Sequence, residues 1–263
     1  MKAIQFVKTA FLDDIQYRTG TIIRYLSGFF FDYVKVSVWF TLVTYDTARI
    51  SFQTANYTVQ YMILVAAISA LYAAKKSNSI TSSYLSGDLS RRLLLPYHIL
   101  KVELAQTVGR VLTMICTNVL PTFLLLTLIF RPSWQIHAAA VPLSLLMIAA
   151  GLLLNWLITV QIDILCFWFK ETSVIAGFSD IVYKFFSGTL LPLWFMPEQM
   201  RTVIDFMPFS KMLYYPVAYM LQMTSETLFM KNFYILLAWI GLFLITVSIT
   251  WKRGVQKMET FGG

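Results

Sequence analysis

Two apolar runs, residues 102–130 and 138–169, each exceed the roughly 20 residues that carry a helix across a hydrocarbon core. A chain with several such runs has few ways to fold. In lipid the backbone must satisfy its own hydrogen bonds, and a helix does so within one segment. Further runs occupy 21–45, 57–74, 173–195 and 233–251, which predicts an all-α polytopic membrane protein with six transmembrane helices. Composition agrees. The 263 residues are 58% hydrophobic and 13% charged, with a mean hydropathy of +0.67; soluble domains carry about 25% charge. The length leaves no room for a second soluble domain of ordinary size, so 19–263 reads as one six-helix membrane domain.

Residues 1–18 read differently. Ile4, Phe6, Val7, Ala10, Phe11 and Ile15 share one helical face, with Lys2, Gln5, Lys8 and Asp13 largely elsewhere. That is the pattern of an amphipathic helix lying flat at the interface. It lacks the uninterrupted apolar core and small-residue cleavage site of a signal peptide.

The net charge is +8. In a soluble protein this would suggest nucleic acid. Here the basic residues fall between apolar runs, as in loops facing anionic lipid, so the partner expected is membrane lipid and not nucleic acid. Lys2, Lys8, Arg18, Arg24, Lys75, Lys76, Arg91, Arg92, Lys101, Lys170, Lys252, Arg253 and Lys257 collect on one side. Arg49, Arg131, Arg201, Lys211 and Lys231 fall on the other. The richer side is cytoplasmic by the positive-inside rule. Both termini then lie inside, as an even number of spans requires.

Two loops are unusual. The cytoplasmic stretch 78–98 reads as a polar turn followed by a short helix, with Ser86 or Asp88 as N-cap and an apolar face of Leu89, Leu93, Leu94 and Leu95. It is either an interfacial helix resting on lipid or a docking element for a cytoplasmic partner. The outer stretch 188–230 mixes Pro192, Pro197, Pro208 and Pro216 with Trp194, Phe195 and Phe209. Proline breaks helices and aromatics favour the interface. Short re-entrant or interfacial helices fit this; an aromatic belt with an irregular loop is the alternative.

A few charges sit inside the runs, where they are costly. Asp32 and Lys35 are three apart, and Asp180 and Lys184 four apart with the acid first, the better orientation for pairing. Asp163 shares a face with Asn155 and Thr159. Such groups either neutralise locally or line a polar path between subunits. Cys116 and Cys166 lie in apolar runs and read as buried thiols. His98 and His137 share no metal-ligand spacing with other residues, so no metal is expected. There is no GxxxxGK[ST] loop, no HExxH, no GxSxG and no cysteine–histidine pair. An enzyme is therefore disfavoured.

Two segments carry a family resemblance. One contains Ser86-Gly87-Asp88-Leu89 and Arg91-Arg92-Leu93-Leu94-Leu95-Pro96. The other runs from Phe167-Trp168-Phe169 to Tyr219, through Ser187-Gly188, Pro192-Leu193, Phe195-Met196-Pro197, Met207-Pro208-Phe209 and Tyr215-Pro216. With their order along nearly the whole chain, they resemble the permease subunits of type-two ABC exporters, in the branch with two related permeases encoded beside an ATPase. The resemblance implies that 1–18 is the elbow helix and that about 79–97 is the coupling helix. Ser86, Gly87, Asp88, Leu89, Arg91 and Arg92 would then contact the ATPase. It implies a translocation path lined by the second and fifth spans, with Asp32, Lys35, Asn155, Asp163, Asp180 and Lys184 as polar candidates. Pro192, Trp194, Phe195, Pro197, Pro208, Phe209 and Pro216 would gate its outer end.

The implied partners are an ABC-type ATPase, as two copies or a dimer, and a second permease, identical or homologous. ATP and Mg would bind the ATPase, with no cofactor in this chain. The implied location is the cytoplasmic membrane of a prokaryote. The Arg91-Arg92 doublet departs from the single basic residue expected. A stand-alone secondary transporter or channel and a non-transporting scaffold are the other readings. Drug, peptide, lipid and glycan all remain open as substrate, the aromatic outer mouth favouring an amphipathic one.

Overall fold

A computed structural model of the chain describes residues 18–45, 52–74, 79–169 and 171–261, together with residue 7. The amphipathic helix expected over 1–18 thus lies outside the described residues except at positions 7 and 18. Among the described residues the elements are all helical: α1 (Arg18–Tyr45), α2 (Phe52–Ser69, extended by a 3₁₀ turn Ala70–Ala73), α3 (Ser79–Leu85), α4 (Asp88–Leu93), α5 (Ile99–Phe130), α6 (Val141–Ile164), α7 (Ser173–Phe186), α8 (Glu198–Phe206), α9 (Phe209–Met212), α10 (Tyr214–Met220) and α11 (Glu226–Phe261).

Among the described residues five stretches are long and apolar enough to cross a membrane: Tyr25–Tyr45, Ala55–Ala73, Ile99–Phe130, Ala138–Phe167 and Glu226–Met258. The first four match the expected runs to within a few residues. The last exceeds the expected 233–251. At 33 residues it is about 50 Å long, more than the hydrocarbon core needs. Lys252, Arg253 and Lys257 are good helix formers, so the helix continues past the apolar stretch.

The run 173–195 folds otherwise. Its helix, α7, ends after 14 residues, about 21 Å, at Phe186. Gly188 follows with φ +83, a left-handed conformation that ends a helix. A Cβ there would lie 2.4 Å from the Tyr61 hydroxyl.

The four prolines noted in the outer stretch stand at element starts, where a missing N–H costs nothing. Pro192 precedes the 3₁₀ turn Leu193–Phe195, Pro197 precedes α8, Pro208 precedes α9, and Pro216 lies in the first turn of α10. Leu193, Met196 and Ile204 form a small core of their own under this region.

Helix α2 is the centre of the bundle. The Ala55–Ala73 span is 67% buried, against 11% for Tyr25–Tyr45. From Tyr61 to Ala67 every residue is buried. The first span is peripheral, with Ile22, Phe30 and Phe31 exposed where lipid would solvate them. Helices α6 and α9 approach closely at Gly151, where a Cβ would meet the Tyr72 hydroxyl at 2.9 Å and the Met212 Cα at 3.0 Å. Small residues permit such approach in membranes. Cys166 is buried, but Cys116, expected inside, is exposed because its helix lies at the edge.

Gly188→Ala is expected to cost about 1–3 kcal/mol, through its backbone conformation and the Tyr61 clash. Gly177→Ala, in α7 with nothing near its Cα, should be neutral or slightly stabilising. Thermal midpoints of the detergent-solubilised protein check this. Equal midpoints for the two variants would contradict it.

Candidate functional site

The stretch 78–98 forms a bent pair of short helices, not a turn and one helix. Ser79–Leu85 is already helical. The bend is Ser86-Gly87, with Gly87 at φ +77, a conformation that favours glycine. Gly87, not Ser86 or Asp88, occupies the N-cap of α4, without a side-chain capping bond. Asp88 instead sits in the first turn, where its charge complements the helix dipole.

The two arginines diverge. Arg91 is 83% exposed and pairs with Asp88 at 2.9 Å along its own helix. Such a surface pair is worth little. Arg92 turns inward. Its Nη2 donates to Glu103 Oε1 on α5 at 3.1 Å, and its Nη1 to Ser83 Oγ at 2.7 Å. Glu103 is 2% exposed, and its other oxygen accepts from Ser79 Oγ at 2.9 Å. The Thr81 hydroxyl donates to the Asp163 backbone oxygen at 3.3 Å and shares a hydrogen bond with Thr172 at 2.9 Å. Ile80 and Leu89 are buried beneath the pair.

The α3–α4 element is therefore fixed to the N-terminal end of α5, the C-terminal end of α6 and the α6–α7 connection. Of the six residues expected to meet a partner, Ser86, Gly87 and Arg91 are exposed and Asp88 partly so. Leu89 and Arg92 face inward, because one fills the core and the other has a buried acid to neutralise. The exposed apolar residues of the stretch are Leu85, Leu94, Leu95 and Tyr97. The second arginine of the doublet is thus matched inside the chain. Glu103 escaped sequence reading. The signal was an acid at the head of an apolar run, eleven residues after an unexplained arginine.

A cavity of about 940 Å³ lies between α1, the C-terminal turn of α2, α5, α6 and α7. Asp32, Lys35, Asn155, Asp180 and Lys184 all line it, although they come from three separate helices. Lys35 donates to Asp32 at 2.8 Å, and Lys184 pairs with Asp180 at 2.6 Å. Asn155 Nδ2 donates to the Tyr72 carbonyl at 2.8 Å. Asp163, grouped with them by helical face, is elsewhere. It is buried at the junction with Thr81.

Helix α5 contributes a π-helical segment, Ile115–Val119. Pro121 follows it, and proline cannot supply the normal hydrogen bond to the preceding turn. The widened turn places Thr117 and Asn118 on the cavity.

The aromatics of the 188–230 stretch close on α1 and α2. Trp194 meets the Tyr61 ring edge-on at 4.8 Å, and Phe195 stacks on Trp39 at 5.0 Å. The Tyr61 hydroxyl donates to Gly188 O at 3.0 Å, and the Tyr72 hydroxyl to Met212 O. Phe209 lines the cavity. Pro192, Pro208 and Pro216 are buried, while Pro197 is exposed.

Lys211, one of the basic residues assigned to the less basic side, is fully buried. Its ammonium donates to the Ile204 and Asp205 carbonyls and to Ser210 Oγ, and lies 5.5 Å from the centre of the Tyr215 ring. Burial pushes its pKa down to about 8, against the pull of Asp205 and with a smaller push from Lys231.

The family model of the ABC-2 family transporter proteins matches residues 16–262. The chain belongs to that family. No curated protein matches the sequence. As an ABC-2 family member with five membrane-length helices, the chain is a multi-pass ABC transporter permease. Family membership brings with it an ABC-type ATPase as the general partner.

Glu103→Ala would leave Arg92 without its acid, and breaking a buried pair costs about 3–5 kcal/mol. The low end is expected, since Arg92 keeps 22% exposure. Arg92→Met with Glu103→Leu should recover most of the loss, and Arg91→Ala should change stability by less than about 0.5 kcal/mol. Thermal unfolding of the three variants checks the assignment. Equal losses for Arg91→Ala and Glu103→Ala would refute it.

Proposed function

We propose that this chain is the membrane-spanning subunit of an ATP-binding cassette exporter. It forms half of a translocation path and is driven by a separate ATPase that binds the ATP and Mg. The observation carrying this reading is the α3–α4 element. Its inner face is locked to α5 and α6 by Arg92–Glu103 and Thr81, while its tip offers Gly87, Arg91, Leu85 and Leu94 to a partner. A loop that only joined two spans would need neither a buried ion pair nor an exposed apolar tip. A rigid element of this kind passes a displacement of its partner to the spans as a unit.

In this reading α3–α4 is the coupling helix. The α7 helix and the outer stretch after it complete a sixth crossing, with α8–α10 entering from the outer face as gate elements. Both termini lie in the cytoplasm of a prokaryote, as the distribution of basic residues supports. The cavity beside α1, α6 and α7 is this chain's half of the path, and a second permease, identical or homologous, completes it. The ATPase is present as two copies or a dimer.

Co-expression with the P-loop ATPase encoded beside it is the test. The complex should co-purify and hydrolyse ATP. Asp88→Ala with Arg91→Ala should lower substrate-linked hydrolysis at least tenfold, with normal membrane insertion. Unchanged hydrolysis would remove the docking assignment. Solute flux in liposomes without ATP would instead identify a stand-alone transporter or channel.

A further inference from the structure

The charged residues lining the cavity are Asp32 and Asp180 against Lys35 and Lys184, so the charge of its wall sums to zero among the described residues. The two pairs differ in exposure. Lys35 and Asp32 retain 15% and 21% of their side-chain surface, whereas Lys184 and Asp180 retain 50% and 56%. The first pair is a fixed dipole. The second is an open pair that costs little to separate.

One further group lacks a partner. The hydroxyl of Tyr25 is buried and makes no hydrogen bond. Tyr183 is 8% exposed, and its hydroxyl faces those of Ser187 and Thr189, which are bonded to each other at 2.6 Å. A buried hydroxyl without a partner is costly, and both tyrosines border the cavity. Between the polar groups the wall is apolar, with Phe29, Phe31 and Ile158. The volume falls in the range that takes one drug-sized molecule, about 300–1,000 Å³.

From this geometry we infer that the cavity binds a single-chain zwitterionic amphiphile as the transported cargo. Lysophosphatidylcholine exemplifies the class. The inference rests on the permease reading above and names its substrate. A ligand of net charge would pair with one member of the open pair and leave the other without its partner. A zwitterion exchanges with Asp180–Lys184 charge for charge. Its phosphate or ester oxygens accept from Tyr25, and its chain lies on the aromatic and aliphatic wall.

The test uses the permease with its ATPase in an uncharged maltoside detergent. Saturable binding and ATP hydrolysis are measured with lysophosphatidylcholine, the anionic lysophosphatidylglycerol and a cationic alkyltrimethylammonium of equal chain length. The zwitterion should bind at least tenfold more tightly than either charged analogue and should raise hydrolysis. Asp180→Asn with Lys184→Gln should weaken its binding about tenfold at an unchanged thermal midpoint. Equal binding of a charged analogue to the native chain overturns the inference, and so does unchanged binding by the double variant.

Zwitterion-selective binding that leaves hydrolysis unaffected, in a complex whose hydrolysis another solute raises, marks a resident lipid and overturns the cargo assignment. If no ATPase associates, the permease reading fails separately, while the comparison of the three amphiphiles on the chain alone still decides the site.

Discussion

Apolar side chains cannot hold helices together in lipid, because the surrounding acyl chains are equally apolar. Close packing and polar ties must do it. Here the ties converge on the central helix α2 and its C-terminal turn. Asn56 and Gln60 bond the backbone around Ser133, at the outer end of α5. The hydroxyls of Tyr61 and Tyr72 hold the carbonyls of Gly188 and Met212 in the outer stretch. Arg110 Nε reaches the Ala74 carbonyl at 2.8 Å, and Asn155 the Tyr72 carbonyl. Each tie is worth about 1 kcal/mol in a membrane. What matters is that they share one helix, so α2 fixes α5, α6 and the outer region relative to one another.

This arrangement has a mechanical consequence. The α3–α4 element is clamped to α5 by Arg92–Glu103, α5 is clamped to α2 by Arg110, and α2 holds the 188–230 stretch through two tyrosines. The route from one face of the bundle to the other is thus a succession of side-chain-to-backbone and ionic contacts. The cavity lies beside it, lined by the C-terminal turn of α2 and by the π-helical turn of α5. A displacement at the tip would act on the cavity wall before it reached the outer aromatics.

Five spans were legible in the sequence, four of them to within a few residues, because an unbroken apolar run is a local property. The helix of the run 173–195 stops short for a reason that is not local. Hydropathy continues through Leu190 and Leu191, but the backbone turns at Gly188 to meet Tyr61, a residue 127 positions away. The pairs Asp32–Lys35 and Asp180–Lys184 were legible from helical spacing alone. Their meeting at one cavity was not, since it depends on how α1 and α7 pack. The arginine doublet was visible as an anomaly, yet its division into an outward Arg91 and an inward Arg92 needed Glu103 on another helix. The proline-rich stretch holds the short helices α8–α10, and their starts were legible because proline fixes where an element can begin.

The central claim is that one face of the α3–α4 element belongs to this chain and the other to the ATPase. Site-directed disulfide trapping tests it most directly, with single cysteines at position 91 or 92 of the permease and a cysteine scan of the facing ATPase surface. The account predicts that Arg91→Cys forms nucleotide-sensitive cross-links and that Arg92→Cys forms none. Cross-linking from Arg92→Cys with none from Arg91→Cys would contradict it.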